Sequence, residues 1–393
     1  MMSLRNKIKS YKYKIELASN ILQTAEIIYF NVLKVIDTEY QQEYLSIMAE
    51  YYTLKIYTKL RKRKVIKKGN EGEERKMSAD LAHIPVALDQ CVDLLSPAFA
   101  NKSKTYLLDA TLGLGGHAKV FLQQFSNLHL IGIDRDQSAI KIAQGNLAAF
   151  SDRVSITHAT YDQIQLALDN AGVSKVDGIL FDLGVSSMQL DIAERGFSYS
   201  QQAPLDMRMD QSNPLTASQI LNTYSHGALA KIIQNYGEEK FASKIAENII
   251  KARSAGELNT TKDLAQIVKD SIPAPARRTG GNPAKRTFQA IRIEVNQELA
   301  TLERAIPAAL AALAIGGRLV VMSYQSLEDR IVKNFFTQAT KSMTPLALPV
   351  ELPNSAASYR LLFNGSAVAD AKEQESNPRS QSMRLRAIER LSA

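Results

Sequence analysis

The chain has no tryptophan, one cysteine and five histidines in 393 residues. A lone cysteine, Cys91, excludes an intrachain disulfide and leaves no basis for a cysteine-built metal centre. No apolar run approaches the ~18 residues that a membrane helix needs. The opening residues, MMSLRNKIKSYKYK, lack the apolar segment of a secretory signal. These absences predict a cytoplasmic protein with no membrane contact and no bound metal. An evenly spread basic surface is missing too. The formal net charge is +8, yet residues 1–76 hold 16 Lys and Arg against 9 Asp and Glu, while residues 77–393 hold 32 against 31. Bulk charge therefore says little about what the later part binds. What is present is ordinary for a globular chain, 45% hydrophobic and 22% charged.

Residues 1–76 stand apart. They contain no proline and eight of the fifteen tyrosines. Ile15, Ile21, Leu22, Ala25, Ile28, Tyr29, Val32 and Leu33 recur at helical spacing, and a second helical stretch is predicted from Gln42 to Leu60. The basic run KLRKRKVIKK then passes into a charged linker, and Met77 opens MSADLAHIPVALDQC like a fresh beginning. Two readings compete: a basic helical extension that grips RNA phosphates, or a mis-assigned start with Met77 as the native one. The abrupt change of composition favours the second, and peptide mapping of the native N-terminus decides between them.

From Tyr106 onward strand and helix patterns alternate. Apolar runs at Tyr106–Thr111, Leu128–Asp134, Val154–Ala159, Val176–Leu183 and Arg318–Tyr324 predict five strands, and helical segments separate the first four. Such alternation predicts a parallel sheet covered on both faces. The interval before the fifth strand is too long for one crossover. Helices are predicted there at Leu229–Arg253, Thr261–Ser271 and Arg286–Leu313, with Thr260 or Thr261 capping the second. The expected organisation is one α/β domain in two parts, residues 77–193 and 286–393, interrupted by a helical insertion at 194–285. The tail segments SYRLLF and SMRLRAIER predict an antiparallel pair on the sheet edge.

The stretch DATLGLGGH follows the first strand. Gly113, Gly115 and Gly116 let a backbone approach a ligand closely, and a helix start at His117 offers free N–H groups. Asp134 ends the second strand, where a carboxylate can take a ribose diol. These features suit any adenosine-bearing cofactor. The spacing G-x-G-G departs from the dinucleotide fingerprint G-x-G-x-x-G, which argues against a dehydrogenase. The fourth strand ends in FDLGVSSMQLD and carries Asp182 to the rim beside the first strand.

Read together, HIPVALDQCVDLL, DATLGLGGH, IGIDRD, DGILFDLGVSSMQLDIAERGFSY, PLDMRMD, YGEEKFASKIA, KRTFQAIRIEVNQEL and GGRLVVMSYQSLEDRIVK resemble, in that order, the bacterial RsmH (MraW) family, from about His83 to Arg390. The resemblance implies a Rossmann-like class I S-adenosylmethionine-dependent methyltransferase sheet. It implies transfer of a methyl group to N4 of a cytidine near the decoding site in 16S rRNA of the small ribosomal subunit. The cofactor contacts it implies are Gly115, Gly116, His117, Asp134, Tyr161, Asp182 and Gln189. Gly115 and Gly116 would admit the methionine end, His117 would donate to its carboxylate, and Tyr161 would face the adenine, with core packing as a rival role. Asp182 is the catalytic candidate, an acceptor for the target amine, against a role in holding the cofactor alone, with Ser186 and Ser187 nearby. Gln189 is singled out by the motif match alone.

For the RNA, Phe197 and Tyr199 are candidates to stack on bases, against ordinary core packing. Arg277, Arg278, Lys285 and Arg286 flank TGGNPA as candidate phosphate contacts, against a plain solvated loop. SLEDR reads as a capping box of Ser326 with Asp329. Leu114, Asn282, Gln325 and Gln381 depart from the family pattern, where a glycine, two histidines and an arginine are usual. The rival functions are a DNA cytosine-N4 methyltransferase, whose Pro-Pro-aromatic motif DLGVSS lacks, and a catalytically silent RNA-binding assembly factor. Monomer and homodimer both stay open.

Overall fold

The computed structural model describes residues 85–277, 282–342 and 356–392. The readings of residues 1–76 and of Met77 lie outside them, as does Arg278.

The first half alternates as its hydrophobic pattern predicts. Helix α1 (Leu88–Phe99) precedes β1 (Thr105–Asp109), α2 (Gly116–Gln124), β2 (Leu128–Asp134), α3 (Gln137–Asn146), β3 (Val154–His158), α4 (Ile164–Ala171) and β4 (Val176–Asp182). After a short helix α5 (Ser187–Asp191), six helices follow: α6 (Ala217–Thr223), α7 (His226–Gly237), α8 (Ala242–Ala255), α9 (Thr261–Ser271), α10 (Ala274–Arg277) and α11 (Ala284–Asn296). The sheet resumes through α12 (Glu298–Ala312), β5 (Leu313–Ser323) and α13 (Ser326–Ala339), then closes with β6 (Tyr359–Leu361), α14 (Ala371–Ser376) and β7 (Arg384–Arg390).

The strand order is β3-β2-β1-β4-β5-β7-β6, with β7 antiparallel to both β5 and β6. This Rossmann-like order is the sheet that the resemblance implies. The tail pair forms as predicted, with β7 slotted between β5 and β6. Successive residues of the central strands face opposite layers. Leu108, Ile179, Phe181 and Val321 join one core with α4, α12 and α13, whereas Leu107, Leu180, Val320 and Met322 join the other with α1, α2 and α3. Both faces are buried, so these strands read as unbroken apolar runs.

A third core, from Leu205 to Val295, lies wholly within the helical segment after β4. Helix α11 contributes Phe288, Ile291 and Val295 to it, so this core runs past residue 285. Two of the predicted helices are each two helices. Leu229–Arg253 breaks at Glu238 and Arg286–Leu313 breaks at Gln297, both in left-handed conformation (φ 48° and 50°). Gly237 stands just before the first break, and no glycine or proline adjoins the second. At Glu238 a tertiary contact holds the turn, because its carboxylate accepts from Ser326 Oγ (2.7 Å) and Arg330 Nη2 (3.3 Å). The cap of α13 also differs from expectation. Glu328, not Asp329, takes the free amides at the helix start, those of Tyr324 (2.9 Å) and Gln325 (3.2 Å). Asp329 instead pairs bidentately with Arg386 of β7 (2.7 and 2.9 Å). Thr260 caps α9 with Asp263, as its sequence predicts.

Candidate active site at the carboxyl rim

The parallel strands β1, β2 and β4 lie side by side, and each ends in an aspartate: Asp109, Asp134 and Asp182. Ligands bind at this rim in open α/β sheets, where the strand order reverses. The glycine loop leaves β1 here. Gly113 and Gly115 both hold positive φ (52° and 79°), and Gly115 caps α2. A side chain at Gly116 would meet Pro85 Cγ at 2.8 Å, so this turn admits no larger residue without displacing Pro85.

Asp134 is tied to the loop. Its Oδ2 accepts from the Gly113 amide (2.7 Å) and its Oδ1 from the Asp136 amide (2.7 Å). Burial raises its pKa, with the two amides pulling the other way. Asp109 is the more exceptional group. It is 2% exposed, and one backbone amide, Thr111, donates to it at 3.2 Å. Burial, reinforced by Asp182 and Asp134 and opposed by that amide, pushes its carboxyl up to about 7. Among the described residues neither Asp109 nor Asp134 has an ion-pair partner. Three strand-end carboxylates therefore converge around the loop, which favours a cationic ligand. They are not disposed to chelate a metal, for no group of three His, Cys, Asp or Glu among the described residues is so placed.

Asp182 is laced into both neighbouring strands. Its amide donates to Thr111 Oγ1 (2.6 Å), and its Oδ1 accepts from the Tyr324 hydroxyl (2.6 Å) at the end of β5. His117, in the first turn of α2, is 6% exposed. Its Nε2 lies 3.0 Å from the Val86 carbonyl and its Nδ1 3.9 Å from Asp182 Oδ2. The carbonyl can only accept, so Nε2 carries a proton and Nδ1 faces the carboxylate.

Tyr161 serves the core and borders the rim. Its ring meets Phe181 edge-on at 5.7 Å, and its hydroxyl donates to the Glu298 carbonyl (3.0 Å). Gln189 is buried and used at both ends of its amide. Oε1 accepts from the Ser186 amide (3.1 Å), and Nε2 donates to Asp136 Oδ2 (3.1 Å). Asp136 in turn belongs to a pair that the sequence does not announce. It caps α3 through the Ser138 amide (3.0 Å) and receives Arg195 Nη2 at 2.8 Å, and both partners are almost fully buried. Arg195 also donates to the carbonyls of Arg208 (3.0 Å) and Met209 (2.8 Å). One guanidinium thus joins the rim of β2 to the first loop of the helical segment. No spacing in the sequence connects positions 136 and 195. Asp109 was legible: it ends its strand as Asp134 and Asp182 end theirs.

Of the RNA candidates, Phe197 is 7% exposed and packs under Arg195 (6.0 Å), which is the core-packing alternative. Tyr199 meets Phe288 edge-on at 5.8 Å and also borders a groove of ≈ 710 Å³. Lys262, Lys269 and Arg277 line that groove, and no acidic residue does. The neighbouring acids are engaged elsewhere, Asp263 on the Thr260 cap and Asp270 with Gln266 Nε2 (2.9 Å). Lys285 and Arg286 are exposed, and Arg286 comes within 4.0 Å of Glu239. No helix among the described residues is long and apolar enough to cross a membrane.

The chain is similar to known proteins over most of its length. The model of the MraW methylase family matches residues 80–391. Ribosomal RNA small subunit methyltransferase H of Mycolicibacterium paratuberculosis is 56% identical over 323 residues, 80% of this chain and 84% of that protein. Its namesake in Mycobacterium leprae is 53% identical over 326 residues, 81% of this chain and 88% of the other. Among solved structures, an rRNA methylase from Streptococcus thermophilus aligns over 79% of this chain and 100% of its own, with a TM-score of 0.37 and 11% identity. With a family match spanning the sheet, the glycine loop and the helical segment together, the chain belongs to the MraW methylase family and is a methyltransferase.

Proposed function

We propose that the chain transfers the methyl group of S-adenosylmethionine to N4 of a cytidine in 16S rRNA of the small ribosomal subunit. The observation that carries this reading is the trio of strand-end carboxylates around the glycine loop. When bound, the donor supplies an activated methyl on a sulfonium and carries a cationic amine. An anionic rim with a deprotonatable Asp109 suits both charges. Gly115 and Gly116 leave room for the methionine end, and His117 lies beside it. Asp134 takes the ribose hydroxyls and Tyr161 borders the adenine. Gln189 supports that wall through Asp136. The names of the relatives, which specify small-subunit ribosomal RNA, support the substrate.

The cytosine amine is a weak nucleophile because its lone pair is shared with the ring. A hydrogen-bond acceptor localises that pair and stabilises the charge that develops as N4 takes the methyl. Asp182 performs this role and accepts the proton that N4 gives up. Placing the amine in line with the donor supplies much of the remaining acceleration. A base in structured RNA must leave its stack to reach the rim. The basic groove beside Tyr199 then holds the flanking backbone through Lys262, Lys269 and Arg277.

The direct test is mass mapping of N4-methylcytidine in small-subunit rRNA from cells with and without the protein. Loss of one such nucleotide, restored by the intact gene and not by an Asp182→Asn copy, is expected. An unchanged map overturns the reading.

A further inference from the structure

Resting on the assignment of Asp182 as the acceptor for N4, we infer that Tyr324 is the positioning residue that sets the orientation of that carboxylate. Neither the glycine loop nor the fourth-strand motif contains it. Parallel pairing of Asp182 with Met322 brings the end of β5 alongside the end of β4. Tyr324, two residues beyond Met322, donates its hydroxyl to Asp182 Oδ1 at 2.6 Å. A neutral phenol donating to a carboxylate is among the stronger hydrogen bonds a protein makes. Burial, with Asp182 beside it, pushes the phenol well above its ordinary range, so the proton stays on Tyr324.

The phenol is itself held from two directions. Its main-chain amide donates to Glu328 Oε2 (2.9 Å), and Glu328 is buried at the start of α13. Its ring lies against the turn after β4, where Gly184 has φ +100° and a side chain would come within 3.5 Å of Tyr324 Cδ2. With the backbone anchored, the ring confined and Oδ1 engaged, the carboxylate has little freedom to rotate. Oδ2, which faces His117 Nδ1 at 3.9 Å, is then held in place before the base arrives, which lowers the cost of reaching the transition state. A positioning role of this kind predicts a specific kinetic signature. On this assignment the hydroxyl acts through Asp182, so its loss slows the chemical step and leaves binding alone.

The experiment is Tyr324→Phe in the full chain, assayed on small ribosomal subunits lacking the modification. Phenylalanine keeps the ring on Gly184 and removes one hydroxyl. The expected result is a ten- to hundredfold fall in kcat, with the KM for RNA and the Kd for S-adenosylmethionine within twofold of the parent. In an Asp182→Asn background the same substitution is expected to cost less than twofold, because the carboxylate it orients is gone. An unchanged kcat, a change confined to KM, or an equal loss in both backgrounds overturns the inference and leaves the proposed function standing. Failure of the parent protein to methylate the subunit overturns the function on which it rests.

Discussion

The carboxyl rim of the sheet and the helical segment that follows β4 solve opposite electrostatic problems. The rim gathers Asp109, Asp134 and Asp182 at adjacent strand ends. The segment from 194 to 296 carries 14 Lys and Arg against 10 Asp and Glu, while the rest of residues 77–393 carries 18 against 21. A near-neutral total therefore conceals an acidic sheet rim and a basic helical segment, which in the function proposed above take a small cation and a polyanion. Charge summed over a chain is uninformative when two sites of opposite sign share it. The two regions are also built differently. The rim relies on strand ends in fixed register, whereas the groove relies on lysines of one helix face and can lose a charge without losing its shape.

This contrast can be broken at its sharpest point first. Asp182→Asn is expected to lower kcat by about 10²–10⁴, the usual range for a positioned proton acceptor, while RNA retention on a filter stays near that of the parent. Next is the buried pair that links the regions. Arg195→Ala leaves Asp136 charged and unpaired in the interior, and truncating one partner of such a pair costs about 3–5 kcal/mol. Denaturant unfolding is expected to show that loss, with Arg195→Met less damaging because it refills the space.

A smaller effect tests the anionic rim. A carboxyl raised to about 7 must ionise to face a cation. Affinity for S-adenosylmethionine is therefore expected to rise with pH through 7, with proton release on binding visible in buffers of different ionisation enthalpy. For the ligand-free protein the sign is opposite. The folded state keeps a proton on Asp109 that the unfolded state releases above its ordinary value near 4, so stability drains as pH climbs from there toward 7. Asp109→Asn is expected to flatten both dependences. The smallest effect belongs to the basic groove. Lys262→Ala with Lys269→Ala is expected to raise the KM for RNA several-fold. It should also lower the salt dependence of binding to single-stranded RNA, by about 0.7 in the log–log slope for each phosphate that is no longer neutralised. Binding of S-adenosylmethionine should not change.

Much of the sheet was legible because burial on both faces writes each strand as a bounded apolar run. β2 matches its predicted limits, and β1, β3 and β4 depart only at their ends. Helix α9 was legible from its cap. The breaks at Glu238 and Gln297 were not, because apolar periodicity continues through both and each turn uses a residue that rarely takes positive φ. The capping box on α13 was misplaced by one residue because two candidates stand side by side at each end of it, Gln325 and Ser326 at the cap and Glu328 and Asp329 three residues on, and only the tertiary contacts, with Asp329 on Arg386, assign them.

By itself, the sequence determined which groups reach the rim: strand period and strand length place Gly115, Gly116, Asp134 and Asp182 at carboxyl ends whatever surrounds them. Tertiary structure alone decided what those groups touch. That Asp136 meets Arg195, that Gln189 is spent on both sides, and that Tyr324 grips Asp182 all depend on elements brought together from distant parts of the chain. Local periodicity records which face of an element is buried. It carries no record of the partner, because hydrogen bonds between distant segments are selected by the packing of the whole fold and leave no spacing behind.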